Sequence, residues 1–246
     1  MSDVLTRPAR VQKPWSLAEL LPDTSAELVS TRLAEIEAVV ESIEAARGRL
    51  ESSPSRELVV EALEDFEDLT ERTYVLSGFG QLWFSEDTQS EAALAYKNRL
   101  SRLLVDLHNR VLFFPLWWKG LDDATATALA PDKAAHPDFF HFLEDLRRTR
   151  PFMLEERSEQ IVNLKDSHGI SAVLTIYSML TNRLEFELEV DGETKLLTRD
   201  GLLAYVYSPD ATIRAGAYRE MLAVFGAEAK ILGQIYVSRV LDWHAE

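Results

Sequence analysis

The spacing of apolar residues along the chain predicts a mostly helical protein. From about residue 25 to residue 50, apolar side chains recur every three or four positions, which is the period of an amphipathic helix with a narrow apolar seam. The residues of this seam are Val29, Leu33, Ile36, Val40, Ile43 and Leu50. A second apolar stripe follows Pro54, a residue suited to the first turn of a helix, and we expect that helix to reach the Gly78-Phe-Gly80 stretch.

A third long helix and four shorter ones are predicted next. Thr88 and Glu91 have the spacing of a capping box, and Pro115 should kink or end the helix that they begin. Three long helices in succession predict an antiparallel bundle. The shorter helices are expected at about 122–130, 137–148, 154–168 and 170–182, with Gly169 as the C-cap of the third of these.

The period changes in "LEFELEVDGETKLLT", residues 184–198. Apolar residues alternate with charged ones here, as in a β-strand with one buried face, and Asp191-Gly192 is a strong signal for a type I′ turn. The chain is therefore predicted to be mainly α, a multi-helix bundle with one β-hairpin near residues 184–198. A lone hairpin is marginally stable in water, so this one must pack against helices or pair with other strands.

Two further helices are expected after the hairpin. Thr198 begins a short one, and Ser208, followed by Pro209, is the predicted N-cap of the next. From Ile213 to Glu246 no residue is a convincing stop, so we predict one long helix whose last turns fray or expose apolar surface.

Length and charge narrow the classes of function. With 246 residues and 46% hydrophobic content, the chain can bury one large core or two modest ones. We divide it into an N-terminal long-helix bundle, residues 1–120, and a helical region with the hairpin, residues 121–246. The 41 acidic residues against 26 basic ones give a net charge of -15, which argues against nucleic acid as a partner because phosphate binding requires clustered Lys and Arg.

The absence of cysteine excludes disulfides, thiolate catalysis and cysteine-ligated zinc. The first fifteen residues, "MSDVLTRPARVQKPW", contain no apolar core of signal-peptide length, and no stretch approaches the length of a membrane span. We therefore expect a soluble, cytoplasmic protein with no membrane partner.

Two His/Glu pairs are candidate metal ligands. His141 and Glu144 lie three residues apart on one predicted helix face, a spacing that metal-binding bundles use, but one such pair cannot fill a coordination sphere. An ordinary His–Glu contact on a helix surface is the favoured interpretation. His244 and Glu246 lie two residues apart, so on a helix they point about 200° away from each other and cannot bind one ion.

An arginine cluster, "LRRTRP", precedes acidic residues that begin the next helix. Surface ion pairs between Arg147, Arg148 and Arg150 and the acids are favoured over an anion-binding site. The acids are Glu155, Glu156 and Glu159. No P-loop, dinucleotide fingerprint, nucleophile elbow or HExxH motif is present, and Gly78-Phe-Gly80 is uninformative by itself. We therefore assign no catalytic, cofactor-binding or metal-binding residue in this chain.

From His136 onward the elements follow a definite order. An "LEDLRR" helix is followed by the helix of "LEERSEQIVNLKDSHG", the hairpin with its "DGE" turn, a short helix and "SPDATIRAGAY". This order resembles the oligoendopeptidase F branch of the M3 zinc metallopeptidases, and Arg214, Ala217 and Tyr218 match that family's R..AY element. "PWSLAELLP" resembles the family's usual opening, and "IYVSRVLDWHAE" resembles the segment that leads into its catalytic domain.

The resemblance implies a clam-shaped cytosolic enzyme that admits short peptides into a deep channel. Its catalytic domain would hold zinc through HExxH and a further Glu, and none of those residues can be assigned here. Zinc is thus expected in the full-length protein and not in this chain, which we expect to be an inactive, channel-forming N-terminal part. Its partners would be short peptides and the catalytic domain of the same polypeptide.

Several alternatives stay open at this point. The chain is either a fragment of a longer protein or a truncated relative that cannot hydrolyse peptides by zinc chemistry. A different class, a non-catalytic acidic all-helical binding or adaptor protein, also fits the composition. The hairpin could hold an extended peptide along its edge or could brace a domain interface.

Overall fold

The computed structural model describes residues 16–245, and these form two apolar cores joined by a pair of helices. The mainly α class with one hairpin is confirmed. The helices are α1 (Ala26–Ser52), α2 (Arg56–Glu86), α3 (Glu91–Val111), α4 (Phe113–Gly120), α5 (Asp123–Leu129), α6 (Pro137–Arg148), α7 (Glu156–His168), α8 (Ile170–Asn182), α9 (Arg199–Val206), α10 (Ala211–Ala227) and α11 (Ala229–Ala245). A 3-10 turn spans Arg150–Phe152, and strands β1 (Phe186–Val190) and β2 (Glu193–Leu197) form the hairpin.

The first core forms where the apolar stripes of α1, α2 and α3 meet. Ile36, Val40 and Ile43 of the predicted seam are almost fully buried, as are Val59 and Leu63 of α2. Charged residues on α1 and α3 add an interhelical contact at the edge, because the Arg110 guanidinium donates to both carboxylate oxygens of Glu44. Three long helices with one shared core confirm the predicted bundle.

The first core also includes Ala126, Leu129 and Leu143. These residues lie beyond residue 120, so α5 and α6 pack on the long helices. The division of the chain into residues 1–120 and 121–246 stays a prediction, and residues 1–15 and 246 lie outside the described residues.

Two predicted helix starts are wrong by one or two residues. Ser55, not a proline-led turn, caps α2, since its hydroxyl accepts from the Leu58 N–H at 3.2 Å and Pro54 lies before it. Ser90 caps α3 in place of Thr88, whose side chain is buried. In both cases a serine nearer the first apolar residue supplies the better-placed oxygen.

The third long helix is interrupted as the proline predicts. The α3 helix ends at Val111, and α4 begins two residues later with Pro115 as its third residue. Because proline has no N–H, the Val111 carbonyl loses the partner that a continuous helix would give it. The predicted C-cap of α7 is also confirmed, since the Gly169 N–H donates to the Lys165 carbonyl at 2.7 Å.

The second core lies under the hairpin. Phe186, Leu188 and Val190 point inward from β1 and pack against α9 and α10. The predicted turn is confirmed, because Asp191 and Gly192 both have positive φ, at 55° and 80°. This packing supplies the helical support that a lone hairpin needs.

The predicted long helix after the hairpin is in fact two helices. Glu228 separates α10 from α11, and the N-cap of α10 is Asp210 rather than Ser208. The Asp210 carboxylate accepts from the backbone N–H groups of Thr212 and Ile213, which leaves Ser208 upstream of the helix. Glutamate has a high helix propensity, so the residue type at position 228 did not predict a break between two helices.

Gly80 is required where α2 and α3 approach each other. A Cβ at this position would lie 2.9 Å from Cε1 of Tyr96, whereas a Cβ at Gly78 would meet nothing within 4 Å. The Tyr96 ring cannot easily retreat, because Phe79 and Trp83 pack against it with centroids 5.6 and 5.8 Å away. The Gly78-Phe-Gly80 stretch thus contains a packing glycine.

We predict that Gly80→Ala lowers the free energy of unfolding by about 1–3 kcal/mol through overpacking. Gly78→Ala is the matched control in the same helix, and it should raise stability by about 0.5–1 kcal/mol because alanine favours the helix. Urea denaturation of both variants measures the difference. Equal effects at the two positions would show that the Tyr96 contact does not constrain residue 80.

Candidate functional site

The outer edge of β2 presents free backbone hydrogen-bonding groups. Val190 and Glu193 flank the two-residue turn and form a hydrogen-bonded pair. From that point, non-hydrogen-bonded and hydrogen-bonded pairs alternate along the ladder, so Thr194 and Leu196 fall in non-hydrogen-bonded pairs. The N–H and C=O groups of Thr194 and Leu196 therefore point away from β1. Within residues 16–245 these groups have no hydrogen-bond partner, and the Leu196 side chain is 61% exposed.

The opposite edge of the hairpin, which belongs to β1, is covered. The Glu187 N–H of β1 donates to the Glu220 carboxylate of α10 at 3.0 Å. The inner face is tied to α9 as well, because the Lys195 ammonium of β2 donates to the Tyr205 hydroxyl at 3.1 Å. The hairpin is therefore held at the β1 edge and open at the β2 edge.

A second feature is the set of exposed apolar side chains on α8, α10 and α11, where α8 and α10 each contact α11. None of the described side chains of α11 is buried. We call this set the α8–α11 face, and its most exposed large side chains are Ile176, Leu222, Tyr236, Leu241 and Trp243. The predicted exposure of apolar surface near the end of the chain is confirmed.

The third feature is a cleft between α2–α3 and α7–α8. Its polar contacts include Asn109 with Asn163 at 2.8 Å and the Ser101 hydroxyl with the Ser167 hydroxyl at 3.4 Å. We call the space beside them the α3–α8 cleft, and it comprises two adjoining cavities of about 600 and 620 Å³. Partial burial lowers the pKa of Lys97, which borders both cavities. A cavity of this size that contains a shifted titratable group has the usual character of a ligand site.

The predicted metal candidates do not converge. His141 is exposed, and its Nε2 lies 3.5 Å from Asp145, so its partner is this residue and not Glu144. The described residues contain no group of three or more His, Asp or Glu side chains that could hold a metal ion. The other candidate pair, His244 and Glu246, stays a prediction because Glu246 lies outside the described residues.

The arginine cluster forms ion pairs, as predicted, but not with the predicted acids. Arg148 contacts Asp145 at 2.6 Å, and Arg147 pairs with Asp123 while donating to the backbone carbonyls of Trp118 and Leu121. Arg147 therefore lies at the junction of α4, α5 and α6, whereas the Arg148 contact is within α6. Arg150 lies 3.6 Å from the carboxylate of Asp123. Because the guanidinium groups already have acceptors there, the cluster does not favour an anion.

The acids of α7 have other partners. Glu156 receives two hydrogen bonds from the Arg47 guanidinium, the shorter at 2.7 Å, and so links α7 to α1. Glu159 accepts from the Leu154 N–H at 2.9 Å. The acids therefore secure the start of α7 and its position on the bundle.

The R..AY residues have distinct surroundings. The Arg214 guanidinium donates to the carbonyls of Ser208 and Pro209, at 2.6 and 2.9 Å, and closes the loop before α10. Ala217 is fully buried beneath the hairpin, whereas Tyr218 is half exposed. Ala217 thus packs under the hairpin, whereas Arg214 holds the loop that precedes α10.

Comparison with known proteins gives matches among solved structures. No family model and no curated protein sequence matches the chain. It is similar to oligoendopeptidase-F from Enterococcus faecium, with a TM-score of 0.69 and 18% identity, over 87% of this chain and 42% of that one. The chain shares the fold of part of an oligoendopeptidase-F.

A second structure is a presumed peptidase from Chlamydophila abortus, with a TM-score of 0.50 and 12% identity, over 92% of this chain and 38% of that one. The chain therefore spans less than half the length of either structure. The predicted resemblance is confirmed at the level of the fold. None of the helices in the described residues is long and apolar enough to cross a membrane.

Sequence reasoning identified the hairpin and the exposed end of the chain but missed the α3–α8 cleft. Lys97 and Thr175, whose side chains meet at 3.2 Å, lie 78 residues apart. No local pattern joins residues at that separation. A signal was present in the serine and threonine residues of α8, which recur on one side of the helix at positions 171, 175 and 178.

We predict that Tyr236→Ser and Leu241→Ser reduce the binding of a hydrophobic fluorescent dye to the chain. Because both side chains are exposed, the free energy of unfolding should change by no more than about 0.5 kcal/mol. Leu202→Ala, in the buried core under the hairpin, is the control and should cost about 2–5 kcal/mol. A large loss of stability in the surface variants would show that α11 packs more closely than its exposure indicates.

Proposed function

We propose that this chain is the N-terminal, channel-forming part of a zinc-dependent oligopeptidase that hydrolyses short peptides. The observation that carries the proposal is the fold shared with part of oligoendopeptidase-F. The open β2 edge and the exposed α8–α11 face support it, because a peptide-binding wall and a domain interface need such surfaces. The enzyme would act in the cytoplasm, consistent with the absence of cysteine.

Within this proposal, zinc belongs to a catalytic domain of the same polypeptide. Residues 16–245 do not fit the ion, since they contain no cluster of three or more His, Asp or Glu side chains. The α8–α11 face is the docking surface for that domain. Its apolar side chains would be removed from water on docking, which favours association.

The hairpin would hold substrate through its backbone. Thr194 and Leu196 offer two N–H donors and two C=O acceptors, with the spacing of a strand edge. A peptide added there in extended form would be bound largely independently of its side chains, because the contacts are to main-chain atoms. This property suits an enzyme that accepts varied short peptides.

We predict that residues 1–246 alone bind no stoichiometric zinc and cleave no peptide. Metal analysis of the purified chain, beside a quenched-fluorescent peptide assay, tests this. Chelator-sensitive turnover by this chain would contradict the prediction. A polypeptide that continues past Glu246 and encodes HExxH within about a domain's length supports the oligopeptidase, whereas a natural stop there favours the acidic binding or adaptor protein.

We predict that an extended peptide binds the chain more tightly than the same peptide with alternate backbone nitrogens methylated. Methylation removes the donors that would pair with the Thr194 and Leu196 carbonyls, and a loss of about tenfold in affinity corresponds to one or two hydrogen bonds. The control peptide carries methyl groups on the other set of nitrogens, which would point away from β2. Equal affinity of the two methylated peptides would exclude pairing at this edge and favour a bracing role for the hairpin.

A further inference from the structure

The α3–α8 cleft differs in charge from the rest of the molecule. The chain has a net charge of -15, yet the larger of the two adjoining cavities is lined, among the described residues, by Lys97 and Arg102 and by no Asp or Glu side chain. The cavity nearer His108 adds one carboxylate, Asp166. The larger cavity is therefore a cationic site in an acidic protein.

Lys97 carries a positive charge that no acidic side chain of the described chain neutralises. Its ammonium lies 4.3 Å from the centroid of the Phe84 ring and donates to the Thr175 hydroxyl at 3.2 Å. Within residues 16–245, no carboxylate oxygen lies within 4.0 Å of it. An ammonium has three donors, so the group can still bind an acceptor in the cavity.

Hydroxyl groups line the same cavity. The hydroxyl-bearing residues of the larger cavity are Ser101, Ser167, Ser171, Thr175 and Ser178. Thr175 and Ser178 donate their protons to the backbone carbonyls of Ser171 and Leu174, and Ser101 and Ser167 share one hydrogen bond, so the Ser171 hydroxyl and one hydroxyl of that pair can donate to an oxyanion. A partly desolvated ammonium also gains more from an anion than an exposed one does. The chemistry of the lining thus complements an anionic group.

The neighbouring wall of the cleft is apolar. Leu100 and Leu104 lie on the same side of α3 as Lys97 and line the smaller cavity, which Lys97 also borders. From Lys97 to His108 the α3 wall extends about 16 Å along the helix. The cleft therefore combines an anion-binding end with a surface for a short apolar body.

We propose that the α3–α8 cleft binds the carboxylate end of a small amphipathic molecule, with Lys97 as its counter-ion. The carboxylate would occupy the larger cavity among the hydroxyls, and the apolar part would cover Leu100 and Leu104. The combined space accommodates a ligand of ordinary metabolite size. This site is separate from the β2 edge and does not depend on peptidase activity.

The test uses pairs of probes that differ in charge alone, N-acetylleucine with N-acetylleucinamide and hexanoate with hexanamide. Binding to the 246-residue chain is measured by calorimetry and by chemical-shift changes. We expect each acid to bind at least about tenfold more tightly than its amide, as a charge-assisted contact of about 1.4 kcal/mol requires. Tighter binding of N-acetylleucine than hexanoate would identify a peptide-like acid as the ligand, and the reverse order a simple fatty acid.

Substitution of Lys97, the proposed counter-ion, is the second test. Lys97→Met should reduce the affinity for both acids at least about tenfold and leave the amides unchanged, while Lys97→Arg retains acid binding. Lys230→Met, an exposed change on α11, is the control for lost charge and should have no effect. No binding of either acid, or equal binding of acids and amides to the unmodified chain, would overturn the proposal without reference to any variant.

Discussion

The attachment of α7 and α8 to the long-helix bundle through polar contacts is the constraint on which the other features depend. Buried Asn109 meets α7, Arg47 reaches Glu156, and Lys97 reaches α8, so hydrogen bonds and an ion pair take the place of a continuous apolar interface. Hydrogen bonds constrain how these helices are oriented, but they do not require the side chains to pack closely along the whole interface. The α3–α8 cleft is the space that such an interface leaves.

The same constraint separates the two cores. The bundle core draws on α1 to α6, and the second core on the hairpin, α9 and α10, while no side chain along Glu156–His168 is buried. The hairpin consequently obtains its support from the second core. One of its edges is covered by α10, and the other is left open because no further strand of the described chain reaches it.

The sequence predicted those features that depend on neighbouring residues. Helical periodicity located the apolar seam of α1. The Asp191-Gly192 pair predicted a tight turn, and both residues have the positive φ that such a turn requires. Caps were less predictable, because several nearby residues can supply an oxygen and packing selects among them, as when Thr88 is buried and Ser90 caps. The break at Glu228 was missed because glutamate favours helices. The cleft at Lys97 was missed because it joins residues 78 positions apart, so the serine and threonine repeat of α8 indicates a polar helix side but not what that side faces.

The α8 helix connects the surfaces to which we assign functions. Ser171, Thr175 and Ser178 lie toward the cleft, whereas Ile176 belongs to the exposed α8–α11 face. A ligand that restrains α8 from the cleft side and a domain that packs on its apolar side would act on one element. If both proposals hold and binding at either surface alters the position of α8, thermodynamic linkage requires each to change the affinity of the other by the same factor. The polar attachment of α8, which permits small shifts more readily than a packed apolar interface would, is the physical basis for such coupling.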